Sequence, residues 1–133
     1  MRVLVVDDSR VMRLMVRGAL EKMEPAAAEV FEASDGLEAL RRLEEERLGV
    51  DVILADWNMP KMDGITFVRL IREREALKRI PVIMLTSQSQ KSQKDEAARI
   101  GVSQYLMKPF DADVLRRTVL EVAAPPPGAA SAS

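Results

Sequence analysis

Polar side chains that could do chemistry follow four short apolar runs of the sequence. Asp7 and Asp8 come after the first of these runs, and Asp56 closes another. Thr86 and Lys108 follow the last two. A single acid in such a place is usually a turn or helix-cap residue. If the strands are parallel, however, their carboxyl ends meet at one edge of a sheet, and turn chemistry explains five converging residues poorly.

This residue set favours phosphoryl transfer to Asp56. Neighbouring carboxylates repel, so at least one pKa rises unless a cation lies between them. The chain has no cysteine and no histidine, and oxygen ligands alone suit a hard ion such as Mg²⁺ or Mn²⁺. A lysine can bind a phosphoryl group as a point charge, and a threonine hydroxyl can donate a hydrogen bond to it. A carboxylate can itself attack phosphorus to give an aspartyl phosphate.

The segments that must position these residues alternate regularly along the chain. Five short apolar runs predict strands at Val3–Val6, Glu29–Ala33, Asp51–Asp56, Pro81–Leu85 and Ser103–Met107. The segments that follow each run are interpreted as five helices. This alternation implies βαβ units, and so an α/β fold with a parallel sheet and helices on both faces.

The predicted helices have recognisable ends. Ser9, Asp35 and Asp111 are candidate N-caps, and Asp35 begins a sequence that resembles a capping box. Pro25 is expected to end the first helix. The second helix is expected to run to about Glu46, with Gly49 separating it from the third strand. The apolar positions of the first helix recur at helical spacing: Val11, Met12, Met15, Val16, Ala19, Leu20 and Met23.

The segment from Ser87 to Arg99 differs from the other helical segments because it is almost entirely polar. If it is a helix, it buries only a thin apolar stripe and should be loosely held. Gly101 is a candidate residue for its carboxyl-terminal cap.

Length and composition predict one domain, residues 1–123, followed by a flexible tail or the start of a linker at 124–133. The 133 residues, 47% of them apolar and 31% charged, allow a single globular core. The net charge of −1 gives no sign of nucleic-acid binding or of a polybasic membrane patch. No signal peptide or long apolar span is recognisable, so the expected location is the cytoplasm.

Four motifs, VVDDS, ADWNMPKMDG, LTS and YLMKPF, together resemble the receiver domain of two-component response regulators. They occur in the expected order, and the resemblance covers about residues 2–122. Within the family, DWNMPKMDG is most similar in pattern to the chemotaxis protein CheY. The resemblance implies a flavodoxin-like (βα)5 fold for residues 1–123, a doubly wound parallel five-stranded sheet in the order 2-1-3-4-5.

The resemblance also implies a metal site and a phosphoacceptor. Asp56 corresponds to the phosphoacceptor, which attacks a phosphohistidine donor in line. Asp7 and Asp8 correspond to residues that hold Mg²⁺ together with Asp56 and the main-chain carbonyl of Asn58. Mn²⁺ could substitute for Mg²⁺ at such a site.

Further roles follow from the same resemblance. Thr86 would contact the phosphoryl group and Lys108 would pair with it. Tyr105 matches the aromatic switch residue, which turns inward as the Thr86 side chain moves towards the phosphate. The Lys108-Pro109 bond resembles the cis X-Pro peptide of the family.

The implied function is signalling in a phosphorelay rather than turnover of a substrate. The phosphodonor would be a sensor histidine kinase or a phosphotransfer protein, and a downstream protein would bind the face formed by residues 88–122. Asn58 and Gln88 occupy positions that tune how water reaches the acyl phosphate. Trp57 is expected to be a solvent-edge aromatic beside the site, and neither nucleic acid nor membrane is an expected partner.

Two alternatives remain open from the sequence. A haloacid-dehalogenase-type phosphatase also uses an aspartate nucleophile and Mg²⁺, but it would want a second acid two residues on, where this chain has Asn58. Alternatively, the domain belongs to a longer regulator with a DNA-binding or enzymatic output domain, and residues 124–133 begin its linker.

Overall fold

Strands and helices alternate without exception along the computed structural model, which describes residues 1–22, 29–87 and 91–123. The strands are β1 (Arg2–Val6), β2 (Glu29–Ala33), β3 (Val52–Asp56), β4 (Val82–Thr86) and β5 (Gln104–Met107). The helices are α1 (Arg10–Glu21), α2 (Gly36–Glu44), α3 (Gly64–Glu73), α4 (Lys91–Ile100) and α5 (Ala112–Ala123). The predicted α/β fold is confirmed.

The five strands form one parallel sheet in the order β2-β1-β3-β4-β5, as the resemblance implied. Helices cover both faces, so β3 and β4 are buried along their whole length. Successive residues of β3 alternate between the two cores: Ile53 packs with Phe67 and Ile71 of α3, whereas Leu54 packs with the α1 and α5 residues. None of the helices in the described parts of the chain is long and apolar enough to span a bilayer.

Short polar side chains begin four of the helices. The side chains of Ser9, Asp35, Asp63 and Asp111 each accept a hydrogen bond from the main-chain N–H three residues later, at 2.8 to 3.2 Å. Three of these caps were predicted, and Asp63 was not. Because each cap satisfies an otherwise unpaired N–H, it fixes where its helix starts relative to the preceding strand.

The structure adds detail to the first two predicted helices. Val11 and Met15 are 69% and 55% exposed, because the buried stripe of α1 is narrow and consists of Val16 and its i+3 and i+4 neighbours. The second helix ends at Glu44, within two residues of the predicted end, and the loop before β3 turns at Arg47, which has a φ of 52°. Pro25 and Met23 lie outside the described residues.

The predicted weak packing of the fourth helix is confirmed. Ala97 is the one α4 side chain that is buried among those described for this helix. Gly101 ends the helix with a φ of 94°, a conformation that favours glycine. The guanidinium of Arg72, from α3, donates to the Gly101 carbonyl and ties this end of α4 to the rest of the domain.

Candidate functional site

Five of the predicted site residues lie at the carboxyl edge of the sheet. Asp7 and Asp8 follow β1, Asp56 is the last residue of β3 and Thr86 the last of β4. Lys108 follows β5 directly. The strand order reverses between β1 and β3, and a crevice for ligands is expected at such a switch point in a doubly wound sheet.

Three carboxylates cluster at this switch point. One oxygen from each of Asp7, Asp8 and Asp56 lies within 4.8 Å of the other two. Asp7 is 0% exposed and Asp56 is 7% exposed, whereas Asp8 faces solvent. The cluster therefore has a buried floor and an open side from which an ion or a phosphodonor can approach.

Lys108 is the cation that faces this cluster. Its Nζ lies 3.1 Å from Oδ1 of Asp56 and 3.4 Å from Oδ2 of Asp7. Burial would lower the pKa of Lys108, but its hydrogen bond to Asp56 and the charge of Asp7 outweigh that effect and raise it. Burial and the charge of Asp7 raise the pKa of Asp56 despite the opposing effect of Lys108. One ammonium thus leaves the negative charge of three carboxylates only partly balanced.

Main-chain contacts hold the loop after β1 in place. The N–H of Asp7 donates to the carbonyl of Ala33 at 3.1 Å, and its own carbonyl accepts from Nη1 of Arg13 at 2.6 Å. Its Oδ1 also accepts from the N–H of Ser9 at 2.8 Å. The position of the Asp7 carboxylate is therefore fixed through its backbone.

A tight turn after β3 fixes the position of Asp56. The N–H of Trp57 donates to the carbonyl of Leu85, and the N–H of Gly64 donates back to the carbonyl of Trp57, both at 2.8 Å. A Cβ on Gly64 would lie 2.5 Å from the main-chain oxygen of Asp56, so only glycine fits there. Asn58 lies in this turn and is exposed.

Thr86 and Tyr105 belong to β4 and β5, the two strands that lie on the side of β3 away from β1. Thr86 is 1% exposed, and its carbonyl accepts from the N–H of Lys108 at 2.7 Å. The peptide between Lys108 and Pro109 is cis, as predicted. Gln88 lies outside the described residues.

Trp57 is not at the solvent edge as expected, since it is only 7% exposed. The ring of Tyr105 makes an edge contact with it, at 6.1 Å between centroids and 75° between planes. Nζ of Lys94 lies 5.6 Å from the Tyr105 ring centroid on the α4 side. The indole is therefore packed in the core against the partly buried Tyr105 ring.

The donor set fits a hard divalent cation. All three clustered side chains offer carboxylate oxygens, which Mg²⁺ and Mn²⁺ prefer. A cation among them would also offset a repulsion that Lys108 balances only in part.

Comparison with known proteins agrees with this arrangement. Residues 3–120 match the family described as the response regulator receiver domain. The chain belongs to this family. Receiver domains are signalling proteins of two-component systems, and the sequence-based assignment to them is confirmed.

Similar receivers include chemotaxis proteins. The chain is 38% identical to the chemotaxis protein CheY of Pseudomonas aeruginosa over 122 residues, which are 92% of this chain and 95% of that protein. It is 37% identical to CheY4 of Vibrio cholerae, whose structure superposes with a TM-score of 0.83 over 91% of this chain and 97% of that one. The receiver domain of the sensor histidine kinase PA1611 from Pseudomonas aeruginosa, 29% identical with a TM-score of 0.81 over 93% of this chain and 98% of that one, has a magnesium ion coordinated in its active-site cleft.

Two residues that shape the site were missed by sequence reasoning. Gly64 belongs to the DWNMPKMDG motif, and its Asp-Gly pair before an apolar helix was a usable signal for a cap and a close backbone approach. Arg13 is one of several arginines in α1, and nothing in its spacing identifies the Asp7 carbonyl as its acceptor.

Proposed function

We propose that this receiver domain accepts a phosphoryl group on Asp56 from a phosphohistidine of a sensor histidine kinase or phosphotransfer protein. The observation that supports this most strongly is the combination of a buried carboxylate with a lysine 3.1 Å away and two further acids within 4.8 Å. Lys108 and a bound cation would together face the transferring group, as phosphoryl transfer requires.

The reaction is an in-line displacement at phosphorus. An Oδ of Asp56 forms the new O–P bond while the P–N bond of the donor breaks, and the imidazole nitrogen leaves with the electron pair. Asp7, Asp8, Asp56 and the Asn58 carbonyl would hold Mg²⁺, or Mn²⁺ in its place. When bound, this ion supplies neutralising charge for the phosphoryl oxygens.

Lys108 and Thr86 complete the phosphoryl site in this proposal. The Lys108 ammonium lies 3.1 Å from an oxygen of Asp56, so it would be close to the oxygens of the transferred phosphoryl group. The Thr86 hydroxyl, at the end of the neighbouring strand, would donate a hydrogen bond to one of them. Asn58 and Gln88 would then tune the access of water, which hydrolyses the acyl phosphate.

The output of the switch is proposed to pass through α4 and β5. Movement of Thr86 towards the phosphate would let Tyr105 turn further inward, and the thinly packed α4 would shift at small cost. A downstream protein would read this change on the face of residues 88–122. By similarity to CheY proteins, we propose a regulator of chemotaxis or motility acting in the cytoplasm.

The identity of residue 58 disfavours the competing phosphatase function. The second acid that such an enzyme needs would lie at Asn58, which is an amide. Accordingly, we treat the domain as a signalling receiver that catalyses only its own phosphorylation and dephosphorylation.

Fluorescence of Trp57 tests the proposal directly, because it is the only tryptophan of the chain and follows Asp56 in sequence. Addition of Mg²⁺ and then of acetyl phosphate or beryllofluoride should change its emission in two steps. Asp56→Asn should abolish the second step. Asp51→Asn makes the same change just before the start of β3, at the end of the strand away from the site, and it should retain both steps. A wild-type protein that responds to neither addition would refute the proposal.

A further inference from the structure

A partly buried ion-pair cluster joins the loop after β1 to the edge strand β2. Arg13, whose side chain is only 15% exposed, donates from Nε to Oε1 of Glu32 at 2.9 Å. Its Nη1 donates to the main-chain carbonyl of Asp7 at 2.6 Å. Nε and Nη2 of Arg17 donate to the other oxygen of Glu32, at 3.0 and 2.8 Å. One glutamate thus orients two arginines, and only Arg13 reaches the candidate site.

The cluster is charged and tightly held. Burial would raise the pKa of Glu32, but hydrogen bonds from Arg17 and Arg13 outweigh that effect and lower it. The Glu32 carbonyl also accepts from Nη1 of Arg42 at 2.7 Å, which anchors this residue to α2. Glu32 is therefore a fixed partner, and its hydrogen bond orients the Arg13 side chain.

The Asp7 carbonyl has a particular importance because it belongs to the peptide that joins Asp7 to Asp8. A peptide unit is planar, so fixing its oxygen also fixes the direction in which the chain enters Asp8. The N–H of Asp7 is already held by Ala33. Arg13 supplies the second anchor, on the carbonyl of the peptide that leads into Asp8.

We propose that Arg13, oriented by Glu32, is a positioning residue that holds the Asp7–Asp8 peptide in the geometry needed for cation binding. The proposal rests on the proposed function, since it concerns the same acidic cluster. Arg13 would touch neither the ion nor the phosphoryl group. It would act through the main chain of the residues that do.

Electrostatics and positioning predict opposite signs for the loss of Arg13. If its charge acted only at a distance, removing a positive charge near an acidic cluster would strengthen cation binding. If it positions the loop, removing it weakens binding, because groups that hold metal ligands in place typically contribute about 10- to 100-fold to metal affinity. The direction of the change therefore separates the two roles.

Arg17 offers a matched control. It is one turn further along α1, has the same charge and pairs with the same Glu32, but it makes no contact with the Asp7 carbonyl. Arg17→Gln measures the combined effect of lost charge and of a loosened Glu32. Arg13→Gln adds the loss of the anchor on Asp7.

The experiment is a titration of the metal-free protein with Mg²⁺ and with Mn²⁺, followed by Trp57 fluorescence and by the shift in melting temperature. We expect the dissociation constant of Arg13→Gln to rise about tenfold. For Arg17→Gln we expect a change of less than about twofold. Arg13→Lys keeps the charge but has a single donor group, so its affinity should fall between wild type and Arg13→Gln.

Equal or tighter cation binding by Arg13→Gln, with wild-type binding intact, would overturn the inference and leave the proposed function standing. If Arg13→Gln fails to fold, Arg13→Lys decides, and wild-type affinity in that variant would overturn the inference. A wild-type protein that binds neither ion would overturn the proposed function and the inference together. Equal losses of cation affinity in Arg13→Gln and Arg17→Gln would also overturn the inference, because they would show a general loosening of α1.

Discussion

Replacing Asp56 by asparagine should stabilise the metal-free protein, although it removes the proposed phosphoacceptor. The change keeps the shape of the side chain and removes one negative charge from a cluster of three carboxylates. The raised pKa of Asp56, caused first by burial and then by Asp7, means that its charged form is disfavoured in the folded state. This cost is fully present above the folded pKa and is absent below the unfolded pKa. The stabilisation should therefore be largest near neutral pH and shrink as the pH falls.

The magnitude follows from the distances in the cluster. Oxygens of Asp7 and Asp8 lie within 4.8 Å of an oxygen of Asp56, and at an effective dielectric constant of about 20 each repulsion costs about 3.5 kcal/mol. Attraction to Lys108 at 3.1 Å offsets about 5 kcal/mol on the same scale. The remaining repulsion of about 2 kcal/mol is an upper value, because Asp8 is exposed and its charge is screened by solvent. The expected gain is therefore roughly 1–2 kcal/mol.

Urea unfolding in EDTA, followed by circular dichroism at pH 7 and at pH 5, measures this gain. Glu121→Gln removes one negative charge from an exposed position of α5 and controls for net charge. In saturating Mg²⁺, wild type should instead be more stable than Asp56→Asn. A ligand at 100 times its dissociation constant stabilises by about 2.7 kcal/mol, and the variant, which lacks one carboxylate ligand, should gain less.

An Asp56→Asn variant less stable than wild type in EDTA by about 1 kcal/mol or more would refute this reasoning. It would show that the ion pair with Lys108 outweighs both repulsions, so that the cluster is already balanced without a cation. A stabilisation that persists unchanged in saturating Mg²⁺ would also contradict it. Such a result would place the effect in packing rather than in charge.

Urea unfolding tests the close packing of Gly64 at the site and, at the opposite end of the sheet, the anchor that Arg72 provides for α4. Gly64→Ala should destabilise by about 2 kcal/mol or more, because its Cβ would meet the Asp56 carbonyl at 2.5 Å. Gly18→Ala, whose Cβ meets nothing within 4 Å, should stabilise by about 0.5–1 kcal/mol, and equal effects at the two glycines would contradict the steric argument. Arg72→Met should cost about 2 kcal/mol, because it leaves three main-chain carbonyls, including that of Gly101, without their donor. Hydrogen exchange near Gly101 should accelerate, and unchanged exchange with unchanged stability would refute this role.

Short-range sequence patterns predicted the elements well because caps and buried runs are local. Ser9, Asp35 and Asp111 begin their helices where the sequence placed them, and every predicted strand agrees with the structure to within a residue or so at each end. The strand order came from the family resemblance, since periodicity alone does not specify which strands are neighbours.

The errors arose where the outcome depends on a distant partner. Helical spacing in α1 gave no information on which stripe the sheet would cover, and Val11 and Met15 lie outside it. Trp57 is buried because Tyr105, on an edge strand far along the chain, packs against its ring. A long side chain such as Arg13 has many acceptors within reach, and only the folded arrangement of β1, β2 and α1 selects the Asp7 carbonyl.

The scaffold holds the three acids of the cluster close together. Repulsion between side chains could relax by moving the backbone, but the Asp7 main chain is held by Ala33 and Arg13, and Gly64 closes tightly on Asp56. The carboxylates therefore keep a repulsion that Lys108 offsets only in part. By linkage, free energy that the metal-free protein loses to this repulsion is recovered when positive charge binds. The same contacts thus make the loops rigid and give the site its affinity for a cation. Replacing Arg13 or Gly64 should therefore reduce both the rigidity and the affinity.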